Sequence, residues 1–368
     1  MKRLIRARRK TVLAGTIAVL LAAGLGTWAT DTWPFDRAAG KDRYCWGAWE
    51  EDSGPGFLGD AAFSDGGGSR TSEETAPTPQ RPRGECTVAI RSGYTSSDGD
   101  ENVRDTTVTV AFGPAPKAAE HRLEWIDGYL GDRAMPLPDG LPGTTDGDNA
   151  LLVLPKRCDT RDGRPTTVTL DSTSRLTWQD GAMSTDGGLG GSRSVAELLV
   201  SVANKGMEEA DCAPSKPLRV TSPALTLPEK EENYFSRACR IKGLDFDRKT
   251  ARELEYQVGA VTRDLQSCSV RTKPTGDRYF DALMVAQPRL SALFDGTTGS
   301  KAPAPGWHGT GVFADGYKVV RADCAGRPLT FLMLAPSLPR GTTPYFTAFT
   351  NAVTQRIGCA PVAPGGSR

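Results

Sequence analysis

The chain lacks the motifs by which many enzymes can be recognised. Its 368 residues contain only two histidines, His121 and His308, and no Gly-x-Ser-x-Gly sequence, so no serine hydrolase is indicated. The glycine-rich stretch 186–192 does not follow a predicted strand, as a dinucleotide-binding loop would. The acidic stretch 98–109 lacks the sixth-position glycine and twelfth-position glutamate of a calcium loop. We therefore expect no catalytic residue, no cofactor and no metal ligand.

The chain also carries little net charge. Its formal charge is +1, and six of its 45 lysines and arginines lie in the first ten residues, which contain no acid. The rest of the chain therefore has a net charge of about −5. A protein that binds the phosphate backbone of a nucleic acid needs a clustered positive surface. We expect no nucleic acid partner.

Residues 11–30 form an uncharged run that predicts a membrane anchor. A helix rises about 1.5 Å per residue, so this run would span roughly 30 Å, the thickness of a bilayer core. The basic residues 1–10 precede it and Asp31 follows it, which places the N-terminus in the cytoplasm by the positive-inside rule. A cleaved signal peptide is the alternative, although its apolar region is normally shorter. We expect an uncleaved signal-anchor that crosses the membrane once.

Two stretches of the chain repeat one another. Residues 151–170 and 317–334 each predict a strand, a cysteine (Cys158 or Cys324), a turn with Gly-Arg-Pro, and a return strand. Around each hairpin the same order recurs: an entry cysteine, a strand that begins with a cysteine, the hairpin, and a late helix beside a fourth cysteine. This order predicts two tandem modules with four cysteines each.

All eight cysteines follow the apolar run, which favours disulfide bonds in an oxidising compartment. No two of them lie close enough in sequence for a zinc site. Their positions favour one bond from entry to first strand and one from hairpin to late helix in each module. These pairs are Cys45–Cys86, Cys158–Cys212, Cys239–Cys268 and Cys324–Cys359. Each would stabilise the fold by about 3–4 kcal/mol, and a crossed pairing within each module is the alternative.

The spacing of apolar residues predicts four helices, at 117–130, 194–210, 247–257 and 344–357. Ser194 and Glu197 are typical of a capping box, and Gly358 of a helix stop. Residues 50–85 are rich in Gly, Ser, Pro and acids and predict a mobile insertion, and residues 132–148 predict a loop.

These elements predict an α+β fold. We expect an N-terminal transmembrane helix followed by two tandem disulfide-stapled modules, each an antiparallel sheet with packed helices. The expected boundaries are a cytoplasmic basic tail (1–10), the anchor (11–30), a juxtamembrane linker (31–43), the first extracytoplasmic module (44–213, with the insertion 50–85), a proline-rich linker (214–232), the second module (233–361) and a disordered tail (362–368).

Trp46 and Trp49 are the candidate ligand-binding residues, because exposed aromatic side chains often anchor partners or sugars. Packing of Trp46 in a core beside Cys45 is the competing interpretation. We expect a non-catalytic binding or scaffolding protein of the cell envelope, with an envelope protein or a glycan as partner and the cleft between the modules as its site. The alternative is an envelope hydrolase with a carboxylate-based site, which would need acids clustered in one pocket.

The basic anchor and the Cys-Trp-Gly opening at 45–47 resemble membrane-anchored extracytoplasmic proteins of actinobacteria such as Streptomyces. The strands that begin at Cys86 and Cys268, the hairpins and the late helices resemble actinobacterial lipoproteins of the PsbP/Mog1-like fold. This resemblance covers 44–213 and 238–361 and implies an antiparallel sheet with helices against it in each module. The chain departs from those lipoproteins because it has no lipobox cysteine, and the second module has no Trp-Gly after its first cysteine. The resemblance implies no catalytic residues.

Overall fold

The computed structural model describes residues 43–50, 68–95, 99, 101–131, 133–178, 181–185, 188–225, 238–246, 248–273, 275–336 and 341–365. Within these ranges the chain forms three antiparallel sheets. The smallest pairs β1 (Arg43–Tyr44) with β2 (Trp49–Glu50). We call residues 43–225 the first half of the molecule and residues 238–365 the second half.

The first half contains an eight-stranded sheet. Its strands are β3 (Gly68–Thr75), β4 (Gly84–Thr95), β5 (Glu101–Pro114), β6 (Met135–Pro136), β7 (Gly143–Thr145), β8 (Asn149–Val153), β9 (Thr166–Trp178) and β10 (Gly181–Thr185). The order across the sheet is β3-β4-β5-β9-β8-β7-β6, and β10 pairs with the far end of β9. The long strands β5 and β9 alternate threonine with valine or leucine, a pattern that suits a pleated sheet with two different faces.

The second half contains a six-stranded sheet with the same path. Its strands are β11 (Leu254–Val261), β12 (Leu265–Thr272), β13 (Arg278–Val285), β14 (Thr310–Ala314), β15 (Tyr317–Cys324) and β16 (Arg327–Leu334). The order is β11-β12-β13-β16-β15-β14. In both halves three strands follow in chain order from one edge, and the last long strand then pairs with the third. The predicted hairpins are confirmed as β8–β9 and β15–β16.

Five α-helices accompany the sheets within the described residues. They are α1 (Ala119–Leu130), α2 (Ser192–Glu209), α3 (Arg248–Glu253), α4 (Pro288–Ser291) and α5 (Thr343–Ile357). Helix α2 covers the outer face of the first sheet, where its buried side chains Val195, Leu199 and Val202 join a core with Val110 and Leu170. Helix α5 covers the outer face of the second sheet, with Phe346, Phe349 and Val353 packed against Phe331 and Met284.

A third apolar core joins the two halves. It contains Leu123, Ile126 and Leu130 of α1, Leu151 and Val153 of β8, and Leu265, Leu283, Val285, Leu290, Phe294 and Leu332 of the second half. A backbone hydrogen bond of 3.2 Å from Ala260 N–H to the Ala134 carbonyl also crosses between the halves. The sheet faces that meet here are called the inner faces below. The predicted cleft between modules is therefore filled, along this contact, by packed side chains.

The α+β fold class is wrong. The described chain is mostly β-sheet, in three sheets, and two of its five helices are only four and six residues long. The stretch 247–257 shows the reason. Helix α3 ends at Glu253, and Leu254 begins the eight-residue strand β11, because pairing with β12 outweighs the helical pattern of the sequence.

Other local predictions are also corrected. The predicted insertion 50–85 contains β3, a regular edge strand that pairs with β4 from Gly68 to Thr75. The predicted loop 132–148 contains the short strands β6 and β7. Ser194 does not cap its helix, which begins at Ser192 without a side-chain cap, and Glu197 instead pairs with Arg193 at 2.9 Å. Gly358 does end α5, with a left-handed φ of 78°.

All four expected disulfide bonds are confirmed. Sulfur atoms join Cys45 to Cys86, Cys158 to Cys212, Cys239 to Cys268, and Cys324 to Cys359. In each half, one bond ties the entry segment to the second strand of the sheet (β4 or β12), and the other ties the hairpin to the segment just after the late helix. The crossed pairing is therefore excluded.

The transmembrane helix included in the predicted fold is not found in the described part of the chain, where no helix is long and apolar enough to cross a membrane. The predicted anchor, 11–30, lies outside the described residues, as do the cytoplasmic tail, most of the juxtamembrane linker, part of the proline-rich linker and the last three residues. The predicted domain boundaries stay a prediction.

Candidate functional site

The two halves differ most on their inner faces. Strand register aligns Cys86, Val110 and Leu170 of the first sheet with Cys268, Ala282 and Met333 of the second. The neighbouring inner-face positions can then be compared one by one. Leu283, Leu332 and Leu334 of the second sheet correspond to Ala111, Thr169 and Asp171 of the first.

This difference leaves part of the first sheet open. The three leucines of the second sheet are buried in the core between the halves. Their counterparts Ala111 and Thr169 instead line a cleft of about 480 Å³ on the first sheet. That volume lies within the range of roughly 300–1,000 Å³ that ligand pockets occupy. We call it the inner-face cleft.

Strands, a helix and a connecting segment of the first half build the inner-face cleft. Strands β4, β5 and β9 contribute Glu85, Ala111 and Thr167 among others, α1 contributes Trp125, and the segment 81–83 contributes two arginines. The alternation of β5 and β9 places threonines on this face and valine, leucine and phenylalanine on the other. The same periodicity that builds the outer core therefore supplies a hydroxyl-bearing surface on the opposite side.

Two threonine hydroxyls of the cleft are held in place by hydrogen bonds. The Thr167 hydroxyl donates to the Gly113 carbonyl at 3.1 Å. The Thr169 hydroxyl contacts the phenol of Tyr129, and that phenol donates to both carboxylate oxygens of Asp171, at 2.9 and 2.7 Å. Thr167 and Thr169 are only 3% and 4% exposed. Because their hydrogens are already used, a ligand in the cleft could meet only their oxygen lone pairs.

The contact between Tyr129 and Asp171 fixes α1 on the sheet beside the cleft. Burial is the main cause that raises the pKa of Asp171, and burial together with the Asp171 charge raises the pKa of the Tyr129 phenol. The phenol therefore stays protonated and remains a donor. One turn earlier on α1, the Trp125 ring, which lines the cleft, meets the Tyr129 ring edge to face at 5.5 Å.

Two arginines stand at the rim of the cleft. Arg81 and Arg83 occupy exposed positions, and neither guanidinium has a hydrogen bond or an ion pair within the part of the chain that the structure describes. The stem of Arg83 passes over the floor, since a Cβ added to Gly113 would lie 3.6 Å from its Cγ. Glu85 is also exposed and lines the same cleft. The charged lining thus has an excess of one positive charge.

A separate group of charged side chains lies between the halves. Arg278 contacts Asp127 of α1 at 2.8 Å and Asp281 of β13 at 2.6 Å, and Arg271 contacts Asp281 at 2.5 Å. Both aspartates are buried, at 7% and 2% exposed. Burial, and next the Asp281 charge, raise the pKa of Asp127 well above its usual value. This cluster joins α1 to the second sheet, and none of its members lines the inner-face cleft.

The predicted site residues lie on the other side of the first sheet. Trp49 is 2% exposed, and its indole N–H donates to the Leu198 carbonyl at 3.2 Å. Trp46 is half-buried and packs edge to face on Phe112 at 6.4 Å. Neither ring lines the inner-face cleft. The reading of Trp46 and Trp49 as ligand-binding residues stays a prediction, and the burial of Trp49 leaves little of its ring for a partner.

The threonines of the inner-face cleft follow a pattern that is visible in the sequence. Threonine alternates with apolar residues in 106–112 and 166–170, which predicts strands and also marks one face of each strand as polar. His121 and His308 occupy exposed positions away from the cleft. Among the described residues, no group of three His, Cys, Asp or Glu side chains could hold a metal ion.

Comparisons of the chain with protein-family models, with curated proteins and with solved structures gave no match. The resemblance to actinobacterial lipoproteins therefore stays a prediction.

Proposed function

We propose that the protein is a non-catalytic binding protein of the cell envelope and that the inner-face cleft is its ligand site. One observation carries this proposal. At positions where the second half buries leucine, the first half has the exposed Ala111 and the smaller, buried Thr169, and the cleft lies over them. A sheet face that served only for packing would bury those positions in the same way in both halves.

The four disulfide bonds indicate that the body of the protein lies in an oxidising, extracytoplasmic compartment. We further propose that residues 11–30 tether this body to the outer side of the cell membrane, in the manner of the actinobacterial proteins that the sequence resembles. Fractionation of cells tests this tether. The full chain should sediment with membranes and stay there in high salt, and recovery of a shortened chain in the soluble fraction would overturn it.

The alternative, an envelope hydrolase with a carboxylate-based site, has less support. Glu85 is the one carboxylate among the described residues that line the cleft. Acid–base hydrolysis of a glycosidic bond normally needs two carboxyl groups facing one another. The buried pair Asp127 and Asp281 is held by arginines between the halves instead.

Filling the cleft tests the proposed site. Ala111 is exposed on the cleft floor. In the variant Ala111→Phe, the larger side chain would occupy the cleft, and no core residue would be replaced. The matched control is Ala182→Phe, at an exposed position of β10 outside the cleft. A ligand that binds only the folded protein raises its melting temperature. Soluble fractions released from the cell envelope should therefore stabilise the wild type and Ala182→Phe, and should not stabilise Ala111→Phe.

The three proteins must first show equal melting temperatures and intact disulfide bonds in buffer alone. An equal rise in melting temperature for all three would contradict the inner-face cleft as the binding site.

A further inference from the structure

Resting on the proposed binding function, we propose that the inner-face cleft takes an acidic saccharide, a chain of sugar rings that carry carboxylates. Three features of the cleft support this ligand class: two arginines whose guanidinium groups have no partner among the described residues, hydroxyl and carboxylate acceptors, and a tryptophan beside a floor of small residues.

The arginines indicate an anion. A guanidinium presents five donors in a planar fork that matches a carboxylate in two parallel hydrogen bonds. Two arginines that lie close by already have partners: the Arg122 guanidinium donates to the Pro116 carbonyl, and the Arg164 guanidinium donates to the Ala115 carbonyl. The guanidinium groups of Arg81 and Arg83 have no hydrogen bond or ion pair within the described residues. Only this second pair is available for a ligand carboxylate.

The remaining polar groups indicate hydroxyls on the same ligand. Thr167 donates its own hydrogen to the Gly113 carbonyl, so its oxygen accepts. Thr169 is engaged with Tyr129 in the same way, and the Glu85 carboxylate accepts only. A ligand that satisfies this set must bring donors as well as its negative charge, and sugar hydroxyls are such donors.

The shape of the cleft suits the rings of a saccharide. Ala111 and Gly113 leave its floor without bulky side chains, and Trp125 supplies an aromatic surface at its side. The apolar C–H face of a sugar ring can pack on such a surface while its hydroxyls point to the edges of the cleft.

An acidic peptide fits the cleft less well. An extended peptide normally binds by adding a strand to a free sheet edge. Most of the cleft lies on a sheet face instead, where β4 and β5 have hydrogen-bonded neighbours on both sides. The edge strand β3 contributes only Thr75, so a peptide paired with that edge would lie beside the cleft and not along its floor.

A matched pair of oligosaccharides tests the ligand class. Cellotetraose and its counterpart with a carboxylate at each C6 have the same linkage and ring number, and tetraglutamate has a similar charge without sugar rings. Isothermal titration of the full chain should show binding of the carboxylated tetrasaccharide at least about tenfold tighter than of the other two, since charge-assisted hydrogen bonds are the stronger ones. The double variant Arg81→Gln/Arg83→Gln should lose at least about tenfold in affinity. The control Arg263→Gln, at an exposed position of the second half, should keep it.

The outcomes separate this proposal from the proposed function. If cellotetraose binds as tightly as its carboxylated counterpart, the acidic class is wrong and the binding site stands. If tetraglutamate binds as tightly as the carboxylated tetrasaccharide, charge alone is recognised and the saccharide class is wrong. If no probe binds while envelope fractions still stabilise the wild type and not Ala111→Phe, the acidic saccharide is wrong and the site stands. If the envelope fractions fail too, both proposals fall.

Discussion

Asp127 belongs to a cluster of ion pairs at the contact between the two halves. It is buried beside Asp281, and both share Arg278. A buried ion pair brings little net stability, because removing two charges from water costs about as much as their attraction returns. The cluster is better understood as a device that orients α1 on the second sheet, while the apolar core around it supplies the stabilising free energy.

The variant Asp127→Asn should change the pH dependence of stability. The pKa of Asp127 is raised in the folded protein, chiefly by burial, so the folded state favours the protonated form. Its stabilising contribution is present below the unfolded pKa, near pH 4, and is lost as pH rises through the folded pKa. The free energy of unfolding of Asp127→Asn, measured with urea between pH 4 and pH 8, should therefore improve relative to the wild type as pH rises.

Asp105→Asn provides the control for this measurement, because Asp105 is an exposed acid with a long, exposed contact to Arg91 at 3.8 Å. The free energy of unfolding of Asp105→Asn should differ little from that of the wild type, because an exposed ion pair contributes little stability. If the difference between Asp127→Asn and the wild type stayed constant as pH rises, the carboxyl group of Asp127 would not titrate as the structure implies.

At the scale of elements, the approach of α2 to the first sheet depends on a glycine. Gly206 lies inside α2, where glycine costs roughly 0.5–1 kcal/mol relative to alanine. A Cβ at this position would lie 2.5 Å from Cδ2 of Phe112 on β5 and 3.1 Å from Cζ3 of Trp46. Helix and strand therefore pack closely only because the side chain is missing, and Trp46 serves this packing.

Two glycine-to-alanine variants separate packing from helix propensity. Gly206→Ala should lower the free energy of unfolding by about 1–3 kcal/mol, because overpacking outweighs the gain in propensity. Gly128→Ala on α1 should raise it by roughly 0.5–1 kcal/mol, because a Cβ there meets nothing within 4 Å. Urea unfolding under oxidising conditions measures both. Stabilisation of similar size in both variants would contradict the close contact at Gly206.

At the scale of the whole molecule, the halves share a core and should unfold together. Phe294 is fully buried there, among leucines from both sheets. Phe294→Ala should lower the free energy of unfolding by about 3–5 kcal/mol, the usual cost of removing a buried phenylalanine. Hydrogen exchange in rising urea should show β5 of the first half and β13 of the second losing protection at the same concentration, in the wild type and in the variant.

Val261→Ala is the control for this prediction, because Val261 is 40% exposed and should change stability little. If Phe294→Ala lowered the protection of β13 and left that of β5 unchanged, the halves would be separate folding units in spite of the shared core.

Part of this architecture could be predicted from the sequence, because it depends on local patterns. The hairpins around Cys158 and Cys324 and the late helices follow from the alternation of residues along the chain. The order of the cysteines favours the four disulfide pairs, and the structure excludes the crossed alternative. The fold class could not be obtained in that way. At Leu254 and in the segment of β3, pairing with a neighbouring strand decided the local structure, and a single segment does not reveal its neighbour.

Alternation along each strand shows which residues share a face, and so it already separates the threonines of β5 and β9 from the valines and leucines. It could not determine what covers each face. The tertiary structure decided that α1 and the second sheet cover Leu151 and leave Ala111 open, and that Trp49 lies in a core. The physical reason is that periodicity is a local property, whereas burial depends on contacts between distant parts of the chain.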